Sequence, residues 1–226
     1  MKLLLTSGGL TNKTISDALI DLVGKKSEDT NLVFIPTASN VEKGDKDWII
    51  NDLVNIQKQN FKQIEIADIS AVSKEIWLPK LEEADVLFFE GGNTYHLMRE
   101  MNRTGLSELL PELLKTKVYV GVSAGSMVAC PDLQLQTSQV VYGEDLDETE
   151  NMTALNLVDF YVTPHLNSPY FTKVRKDNEG IKKALEGVSS KVYILDDDSA
   201  VKVVDGKDKI ISEGEYLVFN SSIHTG

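Results

Sequence analysis

The segment that decides the fold runs from Lys117 to Cys130 and reads KVYVGVSAGSMVAC. Its first part, KVYV, is a strand-like apolar run, and MVAC at its end favours a helix. Between them stands the pattern G-x-S-x-G, which is typical of a nucleophile elbow, a sharp turn that exposes a serine. Gly121 and Gly125 suit such a turn because a side chain at either position would collide with the neighbouring backbone. We therefore predict that Ser123 is a nucleophile; a tight turn without a catalytic role is the alternative.

Outward from this segment, short apolar runs alternate with stretches of helical spacing. The strand-like runs are LLLTSGG, NLVFIPTAS, IEIADI, ADVLFFEGGNT and KVYVGVSAG. This alternation predicts an α/β fold with a mostly parallel sheet, and the unbroken apolar core of VLFF suggests that both faces are covered. The last third alternates apolar and polar residues around DGKD and SEGE, which predicts antiparallel strands at one edge of the sheet. Without a linker or repeat, we expect one domain over residues 1–226.

The ends of the predicted strands carry small polar loops. TSGG, PTAS, EGGNT, SAGS and PH all follow apolar runs. Because ligands bind outside the carboxyl ends of strands in open parallel sheets, these loops are expected to converge on one site.

Composition narrows the class of protein. A net charge of −12 opposes binding to nucleic acid. The acidic run from Gly143 to Glu150 is interpreted as a surface loop. Cys130 is the only cysteine, which excludes an internal disulfide, and its apolar neighbours predict buried packing. The initial apolar run is too short for a signal peptide or membrane span, so a cytoplasmic protein is expected.

A serine nucleophile needs a base and an orienting acid, and the chain has three histidines. His165 is preferred because it follows a strand and a proline, at a strand end like Ser123. His96 on a predicted helix and His224 near the terminus are the alternatives. Three adjacent carboxylates, residues 196–198, follow another apolar strand, and periodicity leaves open which of them faces the base.

The order serine, histidine, acid resembles that of the dipeptidase E (aspartyl dipeptidase) family of serine peptidases, whose relatives include cyanophycinase. The matching segments are FFEGGNTYHLM, YVGVSAGSMVACP, VTPH and LDDDSAV. The resemblance implies a three-layer sandwich like that of class I glutamine amidotransferases. It also implies that Ser123 is the nucleophile, His165 the base and Asp197 the acid, with the backbone amides of Gly92 and Ala124 forming the oxyanion hole.

Three positions depart from the family pattern. Dipeptidase members carry glutamate where Asp197 stands, so either the backbone approaches His165 more closely or another group orients it. Glu90 replaces a frequent glycine beside the cleft, where it could receive a peptide's ammonium group or face solvent. Arg175 aligns loosely with a substrate-binding arginine, and a plain surface arginine is the alternative. Glu90, Asn93 and Arg175 are the candidate substrate-binding residues.

The expected function is therefore hydrolysis of short peptides through an acyl-enzyme, by an exo- or dipeptidase. Another serine hydrolase, such as an esterase or a cyanophycinase-like amidase, and a catalytically silent peptide-binding relative are the alternatives. We expect no cofactor and no metal, because three scattered histidines and one cysteine show no ligand spacing. The expected partner is a small peptide, with no nucleic acid or membrane, and a homodimer is left open.

Overall fold

Strand β5 (Val118–Val122) lies at the centre of a seven-stranded sheet with the order β3-β2-β4-β5-β1-β8-β9. The computed structural model describes residues 1–133, 138–143, 153–174, 181 and 185–220. The first five strands along the chain pair in parallel, whereas β8 and β9 are antiparallel at one edge. The predicted mostly parallel sheet is confirmed. Besides β5, its strands are β1 (Lys2–Thr6), β2 (Asn31–Ile35), β3 (Gln63–Ile66), β4 (Val86–Phe89), β8 (Ser199–Val204) and β9 (Lys207–Ser212).

Helices cover both faces of this sheet. On one face, Phe88 of β4 packs in a core with Leu19 and Ile56. On the other, Phe89 packs with residues such as Trp77, and all four side chains of β4 are buried. Two-sided burial explains the continuous apolar run at this strand. The helices are α1 (Lys13–Val23), α2 (Thr37–Asn40), α3 (Asp47–Gln57), α4 (Lys74–Glu83), α5 (Thr94–Thr104), α6 (Leu106–Leu113) and α7 (Ala124–Met127).

Helix α1 shows how local sequence sets an element's bounds. The Asn12 side chain accepts a hydrogen bond from the backbone N–H of Ile15 at 2.9 Å and caps the first turn. Gly24 ends the helix with φ 78°, a left-handed conformation that glycine adopts without steric cost. The apolar side of α1 lies against the sheet, with Ile15 and Leu19 fully buried. Helix α1 therefore forms the crossover from β1 to β2 and covers one face of the sheet.

The C-terminal strands divide between two sheets. Strands β6 (Tyr161–Thr163), β7 (Val192–Leu195) and β10 (Tyr216–Phe219) form a separate sheet of order β10-β7-β6. The predicted antiparallel strands near the C-terminus are confirmed for β8 and β9 at one edge of the main sheet and for β10 against β7. Strand β6 differs, because it pairs in parallel with β7 in the separate sheet. Alternating apolar residues indicate that a strand is half-buried, but they do not specify which sheet it joins.

The corner between the two sheets is the turn of residues 196–198. The Asp196 carboxylate accepts hydrogen bonds from the Ser199 hydroxyl at 2.5 Å and from the backbone N–H of Asp198 at 3.2 Å. It also accepts one from the backbone N–H of Glu215, which leads into β10. This side chain therefore ties the end of β7 to the starts of β8 and β10.

The described helices are short, and none of them is long and apolar enough to cross a bilayer.

Candidate active site

The G-x-S-x-G segment forms a tight turn between β5 and α7. Ser123 has φ 46° and ψ −107°, an uncommon backbone conformation for a residue with a side chain. A Cβ atom on Gly121 would lie 2.5 Å from the carbonyl oxygen of Gly125, and one on Gly125 would collide with the carbonyl oxygen of Phe89. Both glycines are required by close backbone approach, as the pattern predicts. Helix α7 has a single turn, so the predicted helix after the serine is shorter than its apolar sequence indicates.

The imidazole of His165 lies against the hydroxyl of Ser123. Its Nε2 is 2.8 Å from Ser123 Oγ, and its Nδ1 is 2.7 Å from Asp197 Oδ1. His165 follows β6 and Pro164 and has a positive φ of 66°. The structure thus brings the predicted nucleophile, base and acid into one hydrogen-bonded line.

Asp197 is the member of the acidic turn that reaches His165. Burial alone would raise its pKa, but hydrogen bonds from His165 and Ser7 outweigh that effect and hold the pKa below its ordinary value. A Cβ atom on Gly8 would lie 2.8 Å from both the Cβ and the carbonyl oxygen of Asp197. The backbone of Asp197 therefore lies directly against the loop between β1 and α1. This close approach accounts for how a side chain one methylene shorter than glutamate reaches the imidazole.

Two aromatic side chains enclose the imidazole. Phe171 stacks on His165 with ring centroids 4.8 Å apart and planes at 23°, and Tyr142 meets the ring edge-on at 6.4 Å. The Tyr142 hydroxyl donates to the carbonyl oxygen of Pro164 at 2.8 Å. Only 17% of the His165 side chain is exposed. These contacts restrict ring rotation and exclude water from one face of the imidazole.

The predicted oxyanion amides belong to the residue after Ser123 and to the residue after Gly91, which is close to Ser123. Ala124 directly follows Ser123, and a Cβ atom on Gly91, the residue before Gly92, would lie 3.2 Å from Ser123 Cβ. Gly92 has φ 129°, and a Cβ atom there would collide with the backbone carbonyl of Ala38. Within the described part of the chain, neither the Gly92 nor the Ala124 N–H donates a hydrogen bond, so both are free to bind a ligand oxygen.

The family follows from a comparison of the whole chain. The model of peptidase family S51 matches residues 3–211. The chain belongs to peptidase family S51. It is therefore a serine-type peptidase, and the predicted resemblance to the peptidase E family is confirmed.

The chain is also similar to individual proteins that are named as peptidases. An uncharacterized peptidase of Pasteurella multocida is 34% identical over 167 residues, which cover 72% of this chain and 77% of that protein. A peptidase E of Streptomyces coelicolor is 34% identical over 93 residues, 41% of this chain and 36% of that protein. A crystal structure of a protein provisionally named a peptidase E, from Listeria monocytogenes, has a TM-score of 0.74 at 23% identity. The matched region covers 94% of this chain and 98% of the Listeria chain, and at this identity the match shows a shared fold.

Two buried carboxyl groups, those of Glu90 and Asp52, lie near the candidate active site. Of the two, only Glu90 is a site candidate from the sequence. Glu90 is fully buried and does not face solvent; its Oε1 accepts the backbone N–H of Gly91 at 3.0 Å. The charge of Asp52, on α3, acts on the pKa of Glu90, so the two carboxyl groups lie within electrostatic range of each other. Burial raises the pKa of Asp52 to about 6, and burial together with the Asp52 charge raises that of Glu90.

The sequence signal for Asp52 is its position on an otherwise apolar helical face. It stands four residues before Ile56, which is fully buried, and is itself 8% exposed. A Cβ atom on Gly9 would lie 2.8 Å from Asp52 Oδ1, and the charges of His165 and Asp197 act on its pKa. The acid pair (Asp52 and Glu90) thus lies next to the β1–α1 loop, within electrostatic range of the imidazole.

The remaining sequence candidates lie elsewhere or have other partners. His96 lies on α5, where its Nδ1 is 3.1 Å from Arg99 Nη2, and burial lowers its pKa. Asn93 caps the same helix by accepting the N–H of His96 at 2.8 Å. Arg175 and His224 lie outside the described residues, as does most of the acidic run from 143 to 150.

Two residues of the elbow segment have structural contacts. Ser126 is buried, and its hydroxyl lies 2.8 Å from the carbonyl oxygen of Thr6, to which it donates. Cys130 is buried as predicted; its Sγ accepts the N–H of Val162 at 3.4 Å and lies 3.6 Å from the carbonyl oxygen of Ser126. Among the described residues, no group of three histidine, cysteine or acidic side chains is arranged to hold a metal ion.

Proposed function

We propose that this S51 peptidase cleaves short peptides by acyl transfer, with Ser123 as nucleophile, His165 as general base and Asp197 as the orienting acid. One observation carries the proposal. A single imidazole lies 2.8 Å from the serine hydroxyl through Nε2 and 2.7 Å from a carboxylate through Nδ1. Such a line assigns a role to each atom, because the carboxylate holds the Nδ1 proton and leaves Nε2 as the acceptor.

In the first step, Ser123 Oγ bonds to the scissile carbonyl carbon while its proton moves to His165 Nε2. The carbonyl π electrons move to oxygen, and the N–H groups of Gly92 and Ala124 donate to the resulting oxyanion. The Asp197 carboxylate stabilises the imidazolium cation that forms. Its lowered pKa keeps it ionised for this role near neutral pH.

In the second step, the carbon–nitrogen bond breaks and the leaving amine takes the proton from His165 Nε2. The acyl group stays on Ser123 Oγ as an ester. A water molecule then attacks this ester, gives its proton to His165, and releases the carboxylic acid with restoration of the serine hydroxyl. One water is consumed for each peptide bond cleaved.

We propose short peptides as substrates and exo- or dipeptidase action. The support is the family match together with relatives named peptidase E. Among the candidate substrate-binding residues, Glu90 is buried in the acid pair and the Asn93 side-chain oxygen is used in a helix cap. A substrate-binding role for these two residues or for Arg175 stays a prediction.

We also propose a cytoplasmic enzyme that acts without nucleic acid. The single, buried Cys130 suits a reducing compartment, and the net charge of −12 opposes a phosphate backbone. Cell fractionation with an antibody to the chain tests the location, and sedimentation tests the homodimer that the sequence leaves open.

The deciding experiment combines active-site labelling with product analysis. A small fluorophosphonate is expected to label the protein once, at Ser123, as read by peptide mapping, and the Ser123→Ala variant is expected to stay unlabelled. A peptide library digested by the wild type and by Ser123→Ala, read by mass spectrometry, gives the bond cleaved and the side-chain preference.

The same experiment separates the competing functions. Turnover of p-nitrophenyl esters without cleavage of any peptide would favour another serine hydrolase. Absence of labelling in the wild type would favour a silent binding protein. Peptide cleavage that survives in Ser123→Ala would refute the assignment of the nucleophile.

A further inference from the structure

Ser7 follows β1 directly, and its hydroxyl contacts both the proposed base and the proposed acid. Its Oγ donates to Asp197 Oδ1 at 2.7 Å and accepts the backbone N–H of His165 at 2.8 Å. The residue is fully buried. We infer that Ser7 is a positioning residue that fixes the acid and the base relative to the nucleophile; this inference rests on the proposed function.

The central sheet places Ser7 beside the proposed nucleophile. Strand β1 pairs in parallel with β5, with Thr6 beside Val122, and the backbone N–H of Ser123 donates to the carbonyl oxygen of Thr6 at 3.1 Å. Ser7 and Ser123 therefore leave adjacent strands at the same level. By accepting from the backbone N–H of His165 and donating to the Asp197 carboxylate, Ser7 ties the residues that follow β6 and β7 to the rigid central strands.

The backbone of His165 needs a stabilising contact. This residue has a positive φ of 66°, which costs free energy for a residue with a side chain. Its N–H lies at a partly buried position, where an unpaired donor is unfavourable. By accepting this hydrogen bond, the Ser7 hydroxyl stabilises the backbone conformation that directs the imidazole toward Ser123.

Ser7 also holds the side chain of Asp197. Half of the Asp197 side chain is exposed, so burial alone does not hold its rotamer. Its Oδ1 receives two hydrogen bonds, one from His165 Nδ1 and one from Ser7 Oγ, and the second helps to keep the Asp197 pKa low. The β1–α1 loop adds a further contact, because Thr11 Oγ1 donates to the carbonyl oxygen of Asp197 at 2.9 Å.

The hydroxyl of Ser7 thus performs two tasks with one oxygen. It donates a hydrogen bond to the Asp197 carboxylate and accepts one from the backbone N–H of His165. These two contacts match the single donor and two lone pairs of a hydroxyl group. An alanine would fill nearly the same space and leave both contacts unmade. A merely structural serine would affect stability, whereas a positioning serine affects turnover and its pH dependence.

The experiment compares Ser7→Ala and Ser7→Cys with the wild type on one dipeptide substrate. Cysteine keeps the size and offers only a weak donor. Ser16→Ala is the matched control, since Ser16 is also buried, its hydroxyl donates to the backbone carbonyl of Asn12, and among the described residues it makes no hydrogen bond to Ser123, His165 or Asp197. Circular dichroism and thermal melting establish that each variant is folded.

The expected result for Ser7→Ala is a fall in kcat of about tenfold with KM changed less than twofold, as for loss of a hydrogen bond to a charged group. The kcat of Ser7→Cys is expected to lie between those of the wild type and Ser7→Ala. This variant provides the test if Ser7→Ala does not fold. The acid limb of the kcat/KM profile is expected to move to higher pH, because a carboxylate with one donor fewer holds the imidazolium more strongly. The carboxyl groups that act on this limb are Asp197 and, at longer range, Asp52.

Proton NMR gives an independent measurement, since the Nδ1–H of His165 in its hydrogen bond to Asp197 is expected far downfield. Its shift should change in both Ser7 variants and remain unchanged in Ser16→Ala. Wild-type kcat and an unmoved acid limb in folded Ser7→Ala or Ser7→Cys would overturn the role of Ser7 while leaving the triad intact. Failure of the fluorophosphonate to label wild-type Ser123 would instead overturn the proposed function itself.

Discussion

The proposed nucleophile and the proposed base come from two regions of different construction. Ser123, Gly92 and Ala124 stand at the ends of central parallel strands, where buried backbone and glycines fix the geometry. His165 and Asp197 stand at the border of a smaller second sheet, where hydrogen bonds between side chains fix it. The difference teaches that substitutions in the first region should act through backbone collision. Those in the second should act through lost orientation of an otherwise intact fold.

The largest effect is expected from Asp197→Asn, which keeps the shape of the acid and removes its charge. The amide cannot hold the Nδ1 proton or stabilise the imidazolium, so kcat should fall by about 10⁴-fold. The melting temperature should stay close to that of the wild type. Steady-state kinetics test this, with Asp198→Asn as control, because Asp198 is exposed and makes its contact to Asn12 through its backbone carbonyl. Equal losses in the two variants would contradict the assignment of the acid.

The next effect tests the central region. In Gly92→Ala, the new Cβ would collide with the Ala38 backbone, and the residue would keep a φ of 129° that side chains rarely adopt. Displacement of one oxyanion donor should lower kcat by about 10²–10³-fold. Gly44→Ala is the control, since Gly44 has φ 91° with no atom within 4 Å of a Cβ. It should lose about 1 kcal/mol of stability and retain its kcat.

The acid pair of Asp52 and Glu90 is expected to make the stability of the fold depend on pH. The folded-state pKa of Asp52, about 6, exceeds its ordinary value of 3.8. A carboxyl group with a raised pKa stabilises the fold below its ordinary pKa, and this stability is lost as the pH rises through the folded value. The free energy of unfolding should therefore fall by about 2 kcal/mol between pH 4 and pH 7 from this group.

Glu90→Gln tests that dependence. A neutral amide removes the repulsion between the two carboxyl groups, so the variant should melt at a higher temperature than the wild type at pH 8 and show a flatter stability profile from pH 5 to 8. Chemical denaturation at several pH values measures this, with exposed Glu108→Gln as control. Parallel pH profiles for wild type and Glu90→Gln would show that the pair does not carry the linkage.

The smallest effect is expected at the corner between the sheets. Asp196→Ala removes the acceptor for Ser199 and for the backbone of Glu215, which should cost about 1–2 kcal/mol of stability. Turnover should fall less than tenfold, because Asp197 keeps its own contacts with His165 and Ser7. A loss of kcat as great as that of Asp197→Asn would mean that the corner, and not Ser7, positions the acid.

The central region could be predicted from the sequence because its signals are local. Apolar runs of strand length mark the buried strands, and the spacing of glycines around Ser123 reflects a backbone contact within five residues. The mostly parallel sheet, the tight turn at Ser123 and the burial of Cys130 followed from these patterns. The shortness of α7 did not, since apolar composition does not reveal where a helix ends when it packs under β1 and β5.

The second region could be predicted only in part because its geometry depends on distant contacts. The candidates Asp196, Asp197 and Asp198 are equivalent by composition, and the sheet that each flanking strand joins decides their directions. Ser7 stands more than 150 residues before His165 and 190 before Asp197, so no local pattern connects them. Asp52 carried a signal, an acid on an apolar helical face, but its partner Glu90 lies on another element.

The position of Cys130 has a practical consequence for following motion between the two regions. Its thiol lies under the elbow and accepts a hydrogen bond from the strand that leads to His165. A thiol reagent can reach it only when these layers separate, and the chain offers no second cysteine to confuse the signal. The rate of thiol modification in native buffer therefore reports directly how often the base's strand lifts away from the nucleophile's, and a bound substrate analogue that bridges the two should slow it.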